Sequence, residues 1–348
     1  MEKNNLGFLK NKRVLITGHT GFKGSWLAVV LHYFGAKVYG ISREEKGGIY
    51  EMARIHELMN SEYFVDISEK SIKPLSKIVN KINPDIVFHF AAQSLVIKSY
   101  NDPKDTIYSN IIGTYNVLEA VNNCANVKSL IISTTDKVYK NPENDNTESS
   151  DLGSSDYYSA SKVSSELIID SFINITMRDS LNISVVRSGN VIGGGDRSEN
   201  RLITDIVHKL INQQNIEIRM PYSVRPWQYI LDSLSGYLKI CEENFNRNIS
   251  ETYNLNSSKN NKINVKEITE LMIKGWGSDS KLIIEKKLKY GEVLNLNINS
   301  TKAKENLSWE AKFEMNETIT KIIKWEKHHQ SNNSFKYCLE EVRQYFEI

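Results

Sequence analysis

The first third of this chain alternates between short aliphatic segments and longer segments with helical spacing, and this order constrains the fold more than any other feature. Residues 13–17 and 37–41 have the composition of β-strands, and a helical pattern over 25–34 separates them. A strand, a helix and a strand in this order predict a βαβ unit. Helix-length segments also separate three further aliphatic segments, at 86–90, 129–133 and 183–187. Near-continuous aliphatic strands are typical of a parallel sheet that is buried on both faces.

The turn between the first strand and the first helix carries glycines at positions 18, 21 and 24. Glycines let the backbone turn tightly and approach a pyrophosphate, whose charge the amides at a helix N-terminus can meet. Because this turn follows an aliphatic strand and opens a helix, it predicts a dinucleotide site. Farther along, Asp66-Ile67 follows another strand-like segment, and we expect it beside the adenine, although an ordinary loop aspartate is an alternative interpretation.

The end of the second strand leaves the type of dinucleotide open. A carboxylate there accepts hydrogen bonds from the ribose of NAD, whereas an arginine pairs with the 2′-phosphate of NADP. The chain has Ser42-Arg43-Glu44 at this point. Arg43 favours NADP by its charge, and Glu44 suits NAD if its side chain turns inward.

These patterns predict an α/β fold, a Rossmann-type doubly wound parallel sheet with a smaller C-terminal α/β lobe. The strand and helix alternation weakens from about residue 188, where glycine, arginine and polar segments dominate. We therefore expect a dinucleotide-binding domain over 1–187, with a return near 225–256, and a substrate-binding lobe over 188–348.

Composition excludes several classes of function. The 44 basic and 42 acidic side chains leave a net charge of +2, without a broad basic field for nucleic acid. Cysteines at 124, 241 and 338 are far apart and odd in number, which indicates a reducing compartment. Nowhere do 18 apolar residues run together, and the Cys and His residues lack metal-ligand spacing. We expect a cytoplasmic protein that binds neither nucleic acid, membrane nor a metal ion.

Two motifs about twenty residues apart point to catalysis. Tyr158 and Lys162 are four residues apart and therefore share one face of the predicted helix. The ammonium is expected to lower the pKa of the phenol, so that a phenolate can take a proton from a sugar hydroxyl. Thr135-Asp136-Lys137 precedes this helix at a strand end and offers a carboxylic acid for a second step. A turn-capping aspartate is the alternative interpretation of Asp136.

Together these residues carry a resemblance to a known family. The chain resembles the CDP-glucose 4,6-dehydratases, members of the extended short-chain dehydrogenase/reductase superfamily. Lys137 separates them from the similar dTDP-glucose dehydratases, which have glutamate there. The matching segments are Gly18–Leu27, Ala91–Val96, Thr135–Tyr139, Gly189–Asp196 and Arg225–Gln228.

The resemblance implies an internal redox reaction on a nucleotide sugar. Enzymes of this family oxidise the C4 hydroxyl of the glucose with bound NAD, eliminate water across C5 and C6, and return the hydride to C6. The C4 ketone acidifies the C5 proton, so oxidation has to come first. The product is a 4-keto-6-deoxy sugar nucleotide, which would supply deoxysugars, for instance for surface polysaccharide. NAD is then tightly bound and regenerated in every turnover.

The resemblance also assigns roles to residues. Tyr158 is the base at C4, Lys162 also holds the nicotinamide ribose, and Thr135 hydrogen-bonds the same sugar oxygen. Asp136 protonates the leaving C6 hydroxyl, and Lys137 is either the C5 base or a stabiliser of the enolate. The cofactor-binding candidates beside Tyr158 and Lys162 are Gly18, Thr20, Gly21, Phe22, Lys23, Gly24, Arg43, Asp66, Ile67, Ala91, Ala92 and Asn110. The substrate-binding candidates are Gln93, Asn190, Arg201 and Arg225.

Departures from the family pattern keep other functions open. The loop after Tyr139 lacks the tryptophan-bearing stretch of the family, Arg197 stands where the family has tryptophan, and Arg43 has no family counterpart. Another nucleotide hexose is therefore an alternative substrate. A nucleotide-sugar 4-epimerase, a dehydrogenase and a catalytically silent dinucleotide sensor are further alternatives, although none of them needs Asp136 as an acid.

The resemblance also suggests a homodimer. Helical patterns near 105–121 and 158–172 have apolar residues at helical spacing. In this superfamily the equivalent helices commonly form a four-helix interface, whereas ordinary core packing explains the same spacing.

Overall fold

The computed structural model describes most of the chain. The described residues are 6–44, 47–257, 262–285, 295–329 and 334–347. Residues 1–5, at the start of the predicted first domain, lie outside them. Within the described ranges no helix combines the length and the apolar character needed to cross a lipid bilayer.

The strands of the described residues form three sheets. In chain order they are β1 (Arg13–Thr17), β2 (Lys37–Ser42), β3 (Ser61–Phe64), β4 (Ile86–His89), β5 (Ser129–Ser133), β6 (Asn182–Ser188), β7 (Asn190–Ile192), β8 (Ile216–Ile218), β9 (Val224–Tyr229), β10 (Thr252–Leu255), β11 (Lys262–Asn264) and β12 (Leu282–Ile284).

The largest sheet has seven strands in the order β3-β2-β1-β4-β5-β6-β10. Every strand pair in it is parallel. The inner strand β1 places Ile16 opposite Gly40 on one side and Phe88 on the other. The order reverses beside β1, and such a switch point places the ligand crevice at the carboxyl ends of the strands.

Helices cover both faces of this sheet. The α-helices are α1 (Phe22–Tyr33), α2 (Gly48–Met52), α3 (Lys73–Ile82), α4 (Val96–Asn101), α5 (Pro103–Ile107), α6 (Gly113–Asn122), α7 (Tyr157–Ile175), α8 (Leu202–Ile211), α9 (Ile230–Arg247), α10 (Val265–Trp276), α11 (Thr301–Leu307), α12 (Met315–His329) and α13 (Ser334–Glu347). Short 3₁₀ turns occupy Leu6–Leu9, Ile55–Leu58 and Asp136–Val138, and a π-helical turn occupies Tyr108–Ile112.

Alternate residues of each strand enter two different cores, as the pleat requires. Val14 and Ile16 of β1 belong to one core, with side chains of α1, α9 and α13. Leu15, from the same strand, belongs to the other core, with side chains of α3, α6 and α7. A third core fills the smaller lobe, where β7, β9 and β11 form one sheet, and β8 and β12 another.

The predicted fold class is confirmed, since a parallel sheet carries helices on both faces. The strand predicted over 129–133 is β5, and the strand predicted over 183–187 lies within β6. The first helix begins at Phe22 and not near residue 25, because Gly21 in extended conformation is its N-cap. β10 pairs with β6 at the sheet edge. The proposed domain boundaries stay a prediction.

A buried histidine links the carboxyl ends of β1 and β4 to the π-helical turn. His89 Nδ1 lies 2.7 Å from Thr17 Oγ1, and His89 Nε2 lies 3.0 Å from Thr114 Oγ1. Because Thr114 donates its single hydroxyl proton to the Asn110 carbonyl, His89 Nε2 has to be the donor to Thr114. Burial, reinforced by the charge of Lys162, lowers the pKa of His89 to about 3. The imidazole is therefore neutral in the folded protein.

We predict that this neutral histidine makes the fold sensitive to acid. The unfolded chain binds a proton at the ordinary histidine pKa of 6.5, whereas the folded chain does so only near 3. Stability that is present above pH 6.5 is therefore lost as the pH falls, by about 2 kcal/mol at pH 5. Urea unfolding of wild type and His89→Gln at pH 7 and pH 5 measures this loss. An equal fall in both proteins would contradict the assignment.

Candidate active site

A cavity of about 1490 Å³ opens at the carboxyl ends of the parallel strands. Residues that follow β1, β2, β3, β4, β5 and β6 line it from the large sheet. Residues between 188 and 227 line it from the smaller lobe. The cavity therefore lies in the crevice where open α/β sheets bind their ligands.

The glycine turn forms one end of the cavity. Gly18 has a φ of +79°, and a Cβ on Gly24 would lie 2.2 Å from the Gly18 carbonyl oxygen, so both positions need glycine. Among the described residues no side chain caps the N-terminus of α1, which begins directly after Gly21. Its first amides are thus available to an anion, and the turn fits the pyrophosphate of a dinucleotide.

A further glycine, outside the glycine turn and not predicted as a site residue, makes room for a histidine beneath this turn. A Cβ on Gly40 in β2 would lie 2.4 Å from the ring of His19. The His19 ring is fully buried, and its Nε2 lies 2.9 Å from Glu62 Oε1 on β3. Glycine inside a strand pattern signals a close approach of another group, and Gly40 could have been recognised on that ground.

A buried ion pair supports the opposite end of the cavity. Arg187 on β6 donates through Nε to both carboxylate oxygens of Glu166 on α7, at 3.0 and 3.1 Å. Glu166 also accepts from Thr134 Oγ1 at 2.6 Å, and Arg187 donates to Tyr139 Oη at 3.0 Å. The pair therefore connects β6 and α7 to both ends of the turn that follows β5.

Tyr158 and Lys162 project from the first turns of α7 into the cavity. Asp156 caps this helix by accepting from the Ser159 amide at 2.9 Å. Lys162 Nζ donates to the Ser133 carbonyl at 3.2 Å. Burial raises the pKa of Tyr158 to about 12, although a hydrogen bond with Thr135 opposes the rise. Loss of hydration thus dominates, and the net shift of this pKa is opposite to the lowering expected from Lys162.

The Thr-Asp-Lys motif forms a short turn directly after β5. Thr135 Oγ1 donates to Asp136 Oδ1 at 3.0 Å, and Lys137 Nζ donates to the same oxygen at 2.9 Å. Thr135 and Lys137 line the cavity, whereas Asp136, with 1 % of its surface exposed, lies behind them. Its Oδ2 is buried and meets no hydrogen-bond partner within the described residues. The carboxyl group is therefore next to the cavity and already paired with a cation.

Lys23 of the glycine turn belongs to a polar network beneath Lys162. Its Nζ donates to Ser188 Oγ at 2.9 Å and lies 3.5 Å from Tyr237 Oη. Tyr237 Oη in turn lies 2.7 Å from Ser133 Oγ. Burial, together with the charge of Arg201, lowers the pKa of Lys23 to about 7. Burial, together with Lys23, lowers the pKa of Lys162 to about 8. The cavity floor thus holds two lysines that titrate near neutral pH.

Arg43 lies between two carboxylates at the end of β2. Its Nε lies 3.0 Å from Asp66 Oδ2, and its Nη2 lies 2.9 Å from Asp105 Oδ1. The same Nη2 donates to Ser109 Oγ at 2.6 Å. Burial opposes ionisation of Asp105, but the hydrogen bond and the charge of Arg43 hold its pKa below the ordinary value. The positive charge of Arg43 is therefore balanced within the protein.

The remaining cofactor candidates fall into two groups. Thr20, Phe22, Ile67, Ala91 and Ala92 line the cavity together with the glycine turn. Asn110 lies behind the lining, fully buried in the π-helical turn. Its amide accepts from the Gln93 amide at 2.8 Å and donates to Ser161 Oγ at 2.9 Å. Asn110 therefore fixes the loop after β4 against α7, and contact with a cofactor stays a prediction.

The four substrate candidates all line the cavity. The Gln93 side chain bonds Leu95 and Thr106, so its amide is engaged within the protein. Arg201 donates to Asp196 Oδ2 at 3.4 Å and to Ser94 Oγ at 3.1 Å, and so joins the two lobes across the cavity. Asn190 Oδ1 lies 3.5 Å from Lys137 Nζ, and Arg225 stands on β9. Asn190 thus lies beside the Thr-Asp-Lys turn, and Arg201 and Arg225 line the same cavity.

Comparison with known proteins identifies the family. Residues 15–322 match the family model described as GDP-mannose 4,6 dehydratase. The chain belongs to this family. This chain is 36% identical over 332 residues to a CDP-glucose 4,6-dehydratase from Salmonella typhimurium, and the match covers 92% of each chain. It is 24% identical to a dTDP-glucose 4,6-dehydratase from Haemophilus influenzae, over 90% of this chain and 97% of that protein.

Solved structures support the fold. A Thermotoga maritima UDP-glucose 4-epimerase with UDP-glucose superposes with a TM-score of 0.78 at 23% identity, over 91% of this chain and 99% of that one. A Bifidobacterium longum UDP-glucose 4-epimerase in complex with NAD⁺ and UDP gives a TM-score of 0.80 at 20% identity, over 92% and 99%. The predicted class, a sugar-nucleotide 4,6-dehydratase and thus a hydro-lyase, is confirmed by the family match. The roles of individual residues stay predictions.

Proposed function

We propose that this enzyme converts CDP-glucose to CDP-4-keto-6-deoxyglucose and water. The observation that carries the proposal is one stretch of cavity wall that holds Tyr158, Thr135 and Lys137, with the Asp136 carboxyl group directly behind it. A base, an acid and a cation around one sugar are what oxidation and elimination require. The 36% identity to a CDP-glucose 4,6-dehydratase supports CDP-glucose as the substrate.

The glycine turn is proposed to hold NAD through both half-reactions. When bound, NAD takes the C4 hydrogen with its electron pair and returns it to C6, so it is regenerated in each turnover. The amides after Gly21 would hold the pyrophosphate, Asp66 and Ile67 would border the adenine, and Lys162 would hold the nicotinamide ribose. We further propose that the dinucleotide stays tightly bound between turnovers.

Tyr158 is proposed to take the C4 hydroxyl proton. Its buried phenol has a pKa near 12, so ionisation needs local help. Thr135, by hydrogen bonding, and Arg201, by its charge, both favour the phenolate. Arg201 would also bind the substrate diphosphate, together with Asn190 and Arg225. A shift of the Arg201 guanidinium toward the phosphate would change the charge around the Tyr158 phenol as the substrate binds.

Asp136 is proposed to protonate the C6 oxygen as water leaves. Lys137 Nζ, 2.9 Å from Asp136 Oδ1, adjoins both the acid and Asn190. At C5, Lys137 either accepts the proton or, as an ammonium, stabilises the enolate that forms. In the first case Lys137 has to be neutral before the step, and it becomes an ammonium ion beside the enolate as it takes the proton.

Two alternatives stay open. The dehydratase acts on another nucleotide hexose if the altered loop after Tyr139 changes the sugar or base preference. A 4-epimerase or dehydrogenase would share the Tyr158 and Lys162 pair but would need no acid at C6. Cytoplasmic location and a role in deoxysugar or polysaccharide supply stay predictions.

We predict that wild type forms a 4-keto product from CDP-glucose without accumulating reduced cofactor. The measurement is the ultraviolet absorbance of the keto sugar in alkali, beside the absorbance of reduced nicotinamide, for CDP-, dTDP-, UDP- and GDP-hexoses in parallel. Asp136→Asn should retain C4 oxidation but slow product formation by about 100-fold or more, since it keeps the shape of the side chain but removes the proton donor. Asp179→Asn, in the exposed turn before β6 and outside the cavity lining, is the matched control. Steady accumulation of reduced cofactor by wild type would instead indicate a dehydrogenase.

We propose that the enzyme prefers NAD to NADP, although Arg43 alone suggested NADP. A 2′-phosphate at Arg43 would also approach the carboxylates of Asp66 and Asp105, which already hold the guanidinium. Repulsion between the 2′-phosphate and these carboxylates makes the binding free energy less favourable, and we expect at least about tenfold weaker binding of NADP.

Titration calorimetry with both dinucleotides tests this preference. Asp105→Asn removes one of the two carboxylates that hold Arg43, so it should reduce the ratio of the NAD affinity to the NADP affinity several-fold. Arg43→Leu, the matched control, should increase this affinity ratio, because only the carboxylates remain beside the ribose. Equal affinities in wild type would refute the proposed preference.

We propose a homodimer built on the helices next to the catalytic helix. Ile107, Tyr108, Ile112 and Tyr115 on the α5–α6 side, with Leu167 on α7, keep 37% to 56% of their surfaces exposed. Exposed apolar side chains on neighbouring helices suit a self-complementary four-helix interface.

Leu167→Glu should therefore convert the dimer to a monomer, as measured by light scattering after size exclusion. Ile284→Glu places the same charge on an exposed apolar position of β12 in the other lobe and should leave the mass unchanged. A wild-type monomer at micromolar concentration would count against the interface.

A further inference from the structure

The loop that departs from the family pattern runs between the two catalytic motifs. It starts at Tyr139, directly after the Thr-Asp-Lys turn, and ends at Asp156, the cap of α7. Tyr139 forms an antiparallel bridge with Leu152, and the Gly153 amide donates to the Val138 carbonyl at 2.8 Å. Both ends of the loop therefore lie beside the catalytic turn, and the loop borders the space between the two motifs.

Four side chains of this region line the cavity, and we call them the loop wall. They are Lys140, Pro142 and Leu152 of the loop and Leu296 of the segment 295–299. This segment runs beside the loop, because the Asn297 amide donates to the Pro142 carbonyl at 3.0 Å and the Asn299 amide donates to the Asn146 carbonyl at 2.8 Å. The position of the loop wall thus depends on how the loop and the segment are held together.

A buried asparagine lies beneath the contact between the loop and the segment. Asn254 on β10 has 0% of its surface exposed. Its Nδ2 donates to the Asn146 carbonyl and to the Asn299 carbonyl, both at 3.0 Å. Its backbone amide donates to Glu148 Oε1 at 2.7 Å. One side-chain amide therefore attaches the loop and the segment to the large sheet at the same time.

Tyr139 holds the other side of this amide. Its Oη donates to Asn254 Oδ1 at 2.6 Å and accepts from Arg187 Nη1 at 3.0 Å. Because backbone carbonyls only accept hydrogen bonds, the nitrogen of the Asn254 amide has to face them, and its oxygen has to face Tyr139. Both N–H groups of Asn254 are therefore used to hold the loop wall.

We propose that Asn254 is a positioning residue that sets the loop wall for the hexose. The inference rests on the proposed function, in which the sugar lies between the Thr-Asp-Lys turn and Tyr158. Asn254 does not line the cavity, so it acts through the loop and the segment. The diphosphate is proposed to bind Asn190, Arg201 and Arg225, which stand outside both. A displaced loop wall therefore changes the fit of the hexose and leaves the fit of the nucleotide.

Steady-state kinetics of Asn254→Leu test this role, because leucine has a similar volume but lacks the amide. The KM for CDP-glucose should rise by about tenfold or more, with kcat within about threefold of wild type. The inhibition constant of CDP, which has no hexose, should stay within about twofold. Asn254→Ser replaces the leucine variant if circular dichroism shows that the latter does not fold.

Two further variants separate the two sides of the amide. Asn254→Asp keeps the shape and the acceptor for Tyr139 but lacks both N–H groups, so it should reproduce the rise in KM. Tyr139→Phe removes only the phenol hydroxyl and should keep the KM within about threefold of wild type. Opposite results for these two variants would show that the N–H groups do not hold the wall.

Asn126→Leu is the matched control. The Asn126 side chain donates to the carbonyls of Asn83 and Pro84 at 3.1 and 2.9 Å, outside the cavity lining. It therefore loses two hydrogen bonds of the same kind, and we expect wild-type values of both the KM for CDP-glucose and the inhibition constant of CDP.

Three results with Asn254→Leu overturn the inference. An equal rise of the KM for CDP-glucose and the inhibition constant of CDP would indicate a general loss of structure. A fall in kcat with unchanged KM would assign Asn254 to the catalytic turn, and wild-type values would assign it no role in the reaction. If wild type forms a keto product, these results refute the role of Asn254 alone. If wild type forms none from any of the four nucleotide hexoses, the proposed function is refuted, and this inference with it.

Discussion

The buried ion pair between Glu166 and Arg187 is the interaction on which the catalytic geometry depends. It joins α7, which carries Tyr158 and Lys162, to β6 and to the turn that carries Thr135. Removing one partner of such a pair leaves an uncompensated buried charge, at a cost of about 3–5 kcal/mol. The relative position of the phenol and the Thr-Asp-Lys turn thus rests on two residues that do not line the cavity.

Loss of hydration sets the electrostatics of the cavity floor. It raises the pKa of Tyr158 and lowers those of Lys23 and Lys162, so each of these groups is biased toward its neutral form. A bound dinucleotide and diphosphate bring negative charge to this region, which favours the ammonium forms. Ligand binding and the protonation of the two lysines are therefore coupled.

The parallel sheet could be predicted from sequence because its strands are nearly continuous aliphatic segments, and the glycine turn because its spacing is specific. Contacts between distant segments could not be predicted from the sequence. Arg43 alone suggests a phosphate site, and only the fold brings Asp66 and Asp105 to its sides. The raised pKa of Tyr158 depends on burial, which a four-residue spacing on a helix does not reveal. The π-helical turn that aims Asn110 at Gln93 and Ser161 likewise has no signal in the local pattern.

Arg201 spans the cavity from the smaller lobe and holds Ser94 of the loop after β4. In the proposed complex, an arriving diphosphate has to take this guanidinium away from Ser94 and Asp196, so part of the attraction to phosphate is offset by the loss of these two contacts. Starting material and product carry an identical diphosphate, and the exchange therefore has the same free energy on entry and on departure. Such uniform binding anchors the nucleotide without altering the barrier. In the proposed complex, discrimination between one hexose and another is consequently left to the residues that face the sugar ring.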